Sequence, residues 1–184
     1  MALKSTIFKA QLAVADIDRG YYADHALTIA RHPSETDERM MMRVLAFALH
    51  ADEALAFGRG LSADDEPDLC LRDPDGGIRA WIDVGLPDER DVRKACGRAR
   101  FVHVLAYGGR GVDLWWQAAR DRLERQPRLA VTEVPIDASR ALAALASRSM
   151  RLQATIQEGH VFVGNGEASV PIELVRRKAS AAQG

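Results

Sequence analysis

The chain has 184 residues, of which 47% are hydrophobic and 28% are charged, and its 25 Lys and Arg residues nearly balance its 26 Asp and Glu residues. This length and composition predict a globular protein with one compact domain. The charge balance excludes the overall basic excess that is typical of an obligate nucleic-acid-binding protein, so any site for a polyanion must be local.

Targeting and disulfide signals are not seen in the sequence. No apolar run approaches the roughly 20 residues that a membrane-spanning helix needs, and Met1-Ala2-Leu3-Lys4 leads into alternating residues rather than an apolar signal core. We therefore expect no membrane partner and a cytoplasmic location. The two cysteines, Cys70 and Cys96, are too few for a disulfide framework or a Cys-rich zinc site.

The first predicted elements are a β-hairpin and a helix. Residues 3–14 and 21–30 alternate loosely between apolar and polar side chains, and Asp18-Arg19-Gly20 between them is a turn signal. A helix is then predicted from about Ser34, its N-cap, to about Phe57.

Glu38 is predicted to lie on the apolar face of this helix. It shares the spacing of a single helical face with Met41, Met42, Leu45 and Leu49. A carboxylate that faces inward needs a partner, a metal ion or a raised pKa. The alternative is an acid in the first turn that is satisfied by the helix dipole or by a neighbouring arginine.

An acidic hairpin follows. Asp64-Asp65-Glu66-Pro67-Asp68 enters one strand, and Asp83 lies near the end of the next. If Asp75-Gly76 forms a two-residue turn, Asp68 lies opposite Asp83 with β-carbons about 5 Å apart. Like charges at this distance destabilise a sheet unless a proton or a cation lies between them. A turn centred on Gly76-Gly77 would instead move Asp83 away from Asp68.

The first register also sorts the hairpin residues into two faces. One face is apolar and contains Leu69, Leu71, Ile78, Ala80, Ile82 and Val84, whereas the other contains Asp68, Cys70, Trp81 and Asp83. The same register opposes Arg72 and Arg79 near the turn, which is unfavourable.

A second helix is predicted from Pro87 and Asp88 to about Ala99, with an apolar stripe of Val92, Ala95, Cys96 and Ala99. Its basic flank consists of Arg90, Arg93, Lys94 and Arg98. This flank is either a phosphate contact or a solvated face with ion pairs such as Glu89 with Arg93.

The rest of the chain alternates between strands and helices. We predict a strand at residues 101–107, a helix at 112–123, a strand at 128–134, a helix from near Asp137, three further strands, and a loose tail from Arg177. The first hairpin and the three last strands alternate, and neither set can bury its apolar face alone. We therefore predict that they form one β lobe.

Aromatic residues and histidines give weaker signals. Trp115 and Trp116 recur at helical spacing with apolar residues, which predicts core packing rather than an aromatic platform. The histidines, His25, His32, His50, His103 and His160, never occur at the H-x-x-x-H spacing of a helical zinc site, so no histidine-based metal site is expected.

Several segments together resemble one protein family. They are Met1-Ala2-Leu3-Lys4, Ala30-Arg31-His32-Pro33-Ser34-Glu35-Thr36, Asp64-Asp65-Glu66-Pro67, Gly85-Leu86-Pro87-Asp88-Glu89-Arg90, Lys94-Ala95 and Leu152-Gln153-Ala154-Thr155-Ile156-Gln157. Over essentially the full chain these segments resemble the bacterial YaeQ family, and the order of elements looks like the αβββαβ core of the PD-(D/E)xK nuclease-like superfamily.

The resemblance implies a mixed α/β (α+β) fold in a single domain, residues 1–184. The nuclease-like core would span about residues 33–147. The β lobe would be formed by about residues 1–31 and 148–177.

The resemblance also implies functional residues. Glu38 matches the acid of the superfamily's first helix, Asp68 matches the strand aspartate, and Asp83 matches the acid of the (D/E)xK motif. The lysine position of the motif falls on Gly85, and Lys94 on the following helix is the residue that we expect to supply the amine instead.

Two functions follow as expectations. In the first, Glu38, Asp68 and Asp83 bind Mg²⁺ or Mn²⁺, the ions that oxygen-only ligands suit, in a metal-dependent phosphodiesterase. The basic flank Arg90, Arg93, Lys94 and Arg98 would contact a nucleic acid. In the second, the protein has the nuclease fold but binds a protein or a nucleic acid without cutting it, because fold alone does not establish activity.

Overall fold

The computed structural model describes residues 3–59 and 65–181, and within them the chain forms strands and helices in two sheets. The elements in chain order are β1 (Thr6–Asp16), β2 (Tyr21–Arg31), α1 (Asp37–Leu49), β3 (Leu55–Phe57), β4 (Leu69–Arg72), β5 (Ile78–Val84), α2 (Glu89–Arg98), β6 (Ala99–Ala106), α3 (Arg110–Leu123), β7 (Leu129–Glu133), α4 (Ile136–Ala144), β8 (Ser149–Gln157), β9 (His160–Gly164), β10 (Ser169–Ile172) and β11 (Val175–Lys178). The mixed α+β class expected from the sequence is confirmed.

The first sheet has five strands in the order β10-β9-β8-β1-β2. β1 and β2 form an antiparallel hairpin, and β1 also pairs in parallel with β8. The predicted association of the first hairpin with three C-terminal strands is therefore present. Every second residue of β1 from Phe8 to Val14 is buried, so one face of this sheet packs against the core.

The second sheet has six strands in the order β11-β7-β6-β5-β4-β3, with β5, β6 and β7 parallel. Helices α1 and α4 share one apolar cluster with residues of both sheets. Helices α2 and α3 contribute to a second cluster on the opposite face of the six-stranded sheet. Because α1 lies between two sheets, it is buried on nearly all sides, from Met40 to Ala48.

The boundaries of α1 differ from the prediction. Thr36, not Ser34, is the N-cap, and its side chain accepts a hydrogen bond from the backbone N–H of Arg39. The helix ends at Leu49 rather than near Phe57. Leu55–Phe57 instead pairs with β4, because pairing with a neighbouring strand overrides the helical preference of this short segment.

The end of the chain also differs from the prediction. Residues Val175–Lys178 form β11, which pairs with β7, so the expected loose tail from Arg177 is wrong. The Arg177 guanidinium contacts the carboxylates of Glu133 and Asp113, which fixes this edge strand to the sheet and to α3. No helix in residues 3–59 and 65–181 has the length and apolar character needed to cross a membrane.

The tryptophans of α3 occupy two environments. Trp116 is buried in the cluster beneath α2 and α3, as predicted for a core residue. Trp115 is only partly buried, and its indole N–H donates to the backbone carbonyl of Pro87, 2.8 Å away. This contact connects α3 to the segment that precedes α2.

Candidate functional site: an acidic cleft beside α1

The β4–β5 hairpin has the predicted strand register but a different turn. Leu69 pairs with Ile82, and Leu71 pairs with Ala80, which confirms the register that brings Asp68 towards Asp83. The turn is longer than two residues, because the Asp73 N–H donates to the Gly77 carbonyl, 2.8 Å away.

A bulge at Arg79 accommodates the longer turn. Arg72 pairs with Ile78, so Arg72 and Arg79 are not opposed as the simple register required. The Arg79 Nε instead donates to Asp73, 2.7 Å away. The bulge also moves Ile78 to the face opposite the predicted one. Ile78 packs with Trp81 in the cluster beneath α2 and α3, whereas Ala80 belongs to the other cluster.

Asp68 and Asp83 each accept a hydrogen bond from the other's strand segment. The Asp68 N–H donates to Asp83 Oδ1 at 3.3 Å, and the Val84 N–H donates to Asp68 Oδ2 at 2.8 Å. The Trp81 indole N–H donates to Asp83 Oδ2 at 2.9 Å. Burial, and then the negative charge of Asp68, raise the pKa of Asp83 to about 7. At neutral pH this carboxyl is therefore close to half protonated.

Gly58 allows the backbone to approach Asp68. Its N–H donates to the Asp68 carbonyl, 2.8 Å away. A β-carbon at position 58 would lie 1.9 Å from the carbonyl oxygen of Pro67, so only glycine fits without moving this backbone.

Arg39 is the residue of α1 that reaches the carboxylate pair. Its guanidinium donates to Asp68 Oδ1 at 2.7 Å and to Glu35 Oε1 at 3.0 Å. Glu35 also forms a bidentate pair with Arg43, with distances of 2.8 and 2.7 Å, in which both side chains are 1% exposed. Alternating charges thus extend from Asp68 into the core.

Glu38 takes a different direction from the one predicted for a metal ligand. Its Oε1 accepts a hydrogen bond of 2.6 Å from the Ser139 hydroxyl of α4. It is partly buried and does not line the cleft that contains Asp68 and Asp83. The structure brings Asp68 and Asp83 together but directs the Glu38 carboxylate towards α4.

The two carboxylates lie in a cleft of about 420 Å³. Its charged lining residues are the acids Asp65, Glu66, Asp68, Asp83, Asp88 and Asp91 and the cations Arg39, Lys94 and Arg98. The carboxylates outnumber the cations, so the cleft attracts a positive ion more than it attracts an anion. Asp64, the first acid of the predicted acidic segment, lies outside the described residues.

The predicted basic flank of α2 is divided between the cleft and the solvent. Lys94 and Arg98 line the cleft, whereas Arg90 and Arg93 do not. Arg93 pairs with Glu89, as expected for a solvated helix face, and Arg90 pairs with Asp88. The division follows from the orientation of α2, which buries Val92, Ala95 and Cys96 against the sheet.

The two basic residues of α2 that line the cleft differ in how firmly their side chains are held. Arg98 lies over the Trp81 ring at 5.0 Å and donates to the Asp65 carbonyl, 3.1 Å away. The Lys94 side chain is 66% exposed, and its ammonium is 3.7 Å from Asp91. Lys94 is therefore free to move towards a ligand in the cleft.

Asp68 and Asp83 are the residues best placed to hold a cation. Among the residues that the structure describes, no group of three or more His, Cys, Asp or Glu side chains has the geometry of a metal site. A cation at the pair would have protein ligands on one side only, which suits Mg²⁺ because it keeps several bound waters.

Sequence reasoning missed Arg39. The available signal was its position four residues after Glu35, which is the spacing of an ion pair on one helix face. The contact with Asp68, 29 residues away in the chain, has no local signal.

Comparison with known proteins gives one consistent result. The family model described as YaeQ protein matches residues 1–174. The uncharacterized YaeQ protein of Salmonella typhi is 47% identical over 174 residues, which cover 95% of this chain and 96% of that protein. The YaeQ protein of Escherichia coli K12, also uncharacterized, is 45% identical over the same shares.

Two crystal structures have the same fold. The YaeQ protein of Xanthomonas axonopodis pv. citri has a TM-score of 0.92 and 50% identity, over 95% of this chain and 99% of that chain. The YaeQ protein of Pseudomonas syringae has a TM-score of 0.91 and 36% identity, over 96% and 98% of the two chains. From sequence and structure together, the chain belongs to the YaeQ family.

Proposed function

We propose that the acidic cleft is the site of a divalent-cation-dependent phosphodiesterase built on the PD-(D/E)xK nuclease-like fold. The element order α1-β3-β4-β5-α2-β6 supports this assignment, because it has the αβββαβ order of that superfamily. The observation that carries the proposal is the facing pair of Asp68 and Asp83, in which burial and like charge raise the pKa of Asp83 to about 7. A divalent cation would take the place of the proton that this pair otherwise retains.

Each part of the cleft has a role in this proposal. Asp68 and Asp83 would hold the cation, which would supply Lewis-acid activation of water for phosphodiester hydrolysis. Arg39 keeps the Asp68 carboxylate in place through its 2.7 Å contact. Lys94 contributes a mobile positive charge that stabilises the phosphate as negative charge develops on it.

Position 85 gives a reason why the amine would come from α2. Gly85 has a φ of +100°, a conformation that side-chain-bearing residues rarely adopt. A lysine at this position would therefore strain the backbone, whereas Lys94 lines the same cleft from a regular helix.

Glu38 is not required in this form of the proposal. Its carboxylate is directed to Ser139 of α4 and does not line the cleft, so Asp68 and Asp83 are the protein ligands on which the proposal depends. Arg98 and Lys94 are the basic residues that would meet a nucleic acid in the cleft. Arg90 and Arg93 would contact only parts of a nucleic acid that extend beyond it.

Cation binding is tested first. Millimolar Mn²⁺ should raise the melting temperature of the wild type, because a ligand that binds only the folded state stabilises it. Asp83→Asn should remove this shift, whereas Asp121→Asn, at an exposed residue of α3, should retain it. No shift in the wild type, or an equal shift in Asp83→Asn, would contradict the site.

Catalysis is tested with Lys94→Ala. Against single-stranded and duplex DNA and RNA in Mg²⁺ or Mn²⁺, this variant should cleave roughly a hundredfold more slowly, as expected when a transition-state charge is lost. Arg120→Ala, at an exposed residue of α3, is the matched control and should cleave as the wild type does. Undiminished cleavage by Lys94→Ala would remove this lysine from the mechanism.

A second candidate function is binding without catalysis. It is favoured by one observation, the ion pair of Arg39 with Asp68, which already compensates part of the carboxylate charge without a metal. In this alternative the cleft of a nuclease-like protein binds a protein or a nucleic acid through Lys94 and Arg98. Mn²⁺ binding by the wild type without cleavage of any of the four nucleic acids would favour this alternative.

A further inference from the structure

A second cavity, of about 430 Å³, lies at the opposite end of α1 from the acidic cleft. It is bounded by the last residues of α1, by β6 and β7, and by β11 with the residues that follow it. Its volume falls within the range of about 300–1,000 Å³ that is typical of small-molecule sites. The described residues that line this cavity and those that line the acidic cleft are different.

The charge of this cavity is positive. Arg176 and Lys178 line it, and the described lining residues include no Asp or Glu. The Arg176 side chain forms no hydrogen bond or ion pair with any residue in the described ranges 3–59 and 65–181. Within the described residues, the Lys178 ammonium donates only to the backbone carbonyls of Leu129 and Ala179, 3.0 and 3.2 Å away. Among the described residues neither cation forms an ion pair with a carboxylate, which favours an anionic ligand.

The polar wall of the cavity is a hydrogen-bonded chain. His50 Nε2 lies 2.6 Å from His103 Nδ1, and His103 Nε2 lies 2.9 Å from Thr132 Oγ1. Burial lowers the pKa of both imidazoles, that of His103 to about 4, so both are neutral at neutral pH.

The proton arrangement of this chain is reversible. If His50 Nε2 carries the proton, His103 accepts at Nδ1 and its Nε2–H donates to Thr132. If His103 Nδ1 carries it, His50 accepts, and the Thr132 hydroxyl donates to His103 Nε2. The wall can therefore adjust its donors and acceptors to a ligand without a change in charge.

The remaining wall is apolar and includes Leu49, Phe101 and Leu174. We propose that this cavity binds a small organic anion, with a carboxylate or phosphate head at Arg176 and Lys178 and an apolar body against Phe101 and Leu174. The guanidinium fork of Arg176 matches the geometry of either head group. The proposal is independent of the function proposed for the acidic cleft, because it uses none of the cleft residues.

The test is a titration of the full chain with small ligands, in which the imidazole NMR signals of His50 and His103 report binding. The probes are benzoate, phenyl phosphate, inorganic phosphate and benzyl alcohol. At least one of the two aryl anions should bind and should raise the pKa of the imidazoles, because a nearby anion favours their charged form. The aryl anion that binds more tightly shows whether the cavity prefers a carboxylate or a phosphate head group. Benzyl alcohol should bind at least roughly tenfold more weakly, because it lacks the charge that Arg176 and Lys178 recognise.

A substitution shows whether the anion binds to Arg176 in the cavity or is attracted only by the positive charge of the surface. Arg176→Gln should weaken the binding of the aryl anion roughly tenfold, as the loss of a charge-assisted contact does. It should leave the fold intact, because the Arg176 side chain holds no described partner. Arg125→Gln, at an exposed arginine outside the cavity, is the matched control and should bind as the wild type does.

Four results would overturn the proposal. They are no binding of either aryl anion, equal binding of benzyl alcohol, equal losses in Arg176→Gln and Arg125→Gln, and unchanged binding by Arg176→Gln. If inorganic phosphate binds as tightly as phenyl phosphate, the apolar wall does not contribute to ligand binding, which would contradict that part of the proposal.

Discussion

The two ends of α1 lie beside two polar sites that burial affects in opposite directions. At the N-terminal end, burial and the charge of Asp68 raise the pKa of Asp83 to about 7. At the C-terminal end, burial lowers the pKa of His103 to about 4. The same physical cost, the loss of water around a charged group, therefore favours a protonated acid at one end and an unprotonated base at the other.

This difference indicates what each site would bind. The cleft has more carboxylates than cations and two acids that face each other, so a cation would relieve its repulsion. Arg176 and Lys178 line the cavity beside neutral imidazoles, and neither has an ion pair with a described carboxylate, so an anion would balance their charge. Substitutions at the two ends of α1 should therefore change stability and its pH dependence in opposite ways.

The largest effect is expected from Arg39→Met. This change leaves Asp68 without the guanidinium that pairs with it, whereas Glu35 keeps its bidentate pair with Arg43. An uncompensated buried carboxylate is costly. The free energy of unfolding should fall by about 3 kcal/mol. Urea denaturation at neutral pH measures it.

Arg93→Met is the matched control for this change. Arg93 also pairs with a glutamate four residues earlier on its helix, but its side chain is 51% exposed. The loss here should be below about 0.5 kcal/mol, because solvent screens exposed pairs. Equal losses in the two variants would show that the cleft end of α1 does not hold buried charge.

The next effect concerns the backbone beside Asp68. Gly58→Ala places a β-carbon against the Pro67 carbonyl, so the Asp68 segment must move, at a cost of about 1–3 kcal/mol. Gly97→Ala, where a β-carbon meets nothing within 4 Å, should instead be neutral or stabilising, because alanine favours the helix α2. Thermal unfolding with and without Mn²⁺ measures both. If Mn²⁺ stabilises Gly58→Ala as much as the wild type, the backbone beside Asp68 does not affect cation binding in the cleft.

A pH effect of about 2 kcal/mol is expected from Asp83. Its pKa in the folded state, about 7, lies above its ordinary value of 3.8, so the folded protein binds more protons between these values. The stability that Asp83 contributes is thus fully present below about pH 4 and is lost as the pH rises towards 7. Between about pH 5 and pH 7, the wild type should lose about 2 kcal/mol relative to Asp83→Asn. Parallel stability profiles of the two proteins would contradict the raised pKa.

The smallest expected effect is the pH dependence of stability that arises from His103, at the other end of α1. It is opposite in sign to the effect of Asp83. The pKa of His103 lies near 4 rather than 6.5, so the unfolded chain binds more protons between these values. Stability is therefore lost as the pH falls from about 7 to 5, by about 1–2 kcal/mol.

His103→Asn tests this effect. Asparagine retains an atom that can bond His50 but does not titrate, so it should reduce this loss. His32→Asn, at a histidine near the surface turn before α1, should not reduce it. Because Asp83 acts in the opposite direction to the buried imidazoles, stability should fall more steeply between about pH 7 and about pH 5 in Asp83→Asn than in the wild type.

The part of the site that lies within one hairpin was predictable from sequence. The alternation of apolar residues predicted the faces of β4 and of residues Ala80 to Val84 in β5, and it supported the register that brings Asp68 to Asp83. The predicted face of Ile78 was wrong, because of the bulge. The detail of the turn was not predictable to the same degree. A longer turn with a bulge at Arg79 satisfies the same ends of the strands and avoids the opposition of Arg72 with Arg79.

Local spacing also determined the apolar stripe of α2, its Asp88 cap and the solvated pair of Glu89 with Arg93. These features depend on residues within a few positions of one another, so the helical repeat is sufficient to predict them. Tertiary structure alone decided that Arg39 rather than Glu38 contacts Asp68, and that His50 meets His103, 53 residues later. Such contacts depend on how α1 packs between two sheets, and the α1 sequence cannot specify this packing because nearly all sides of the helix are buried.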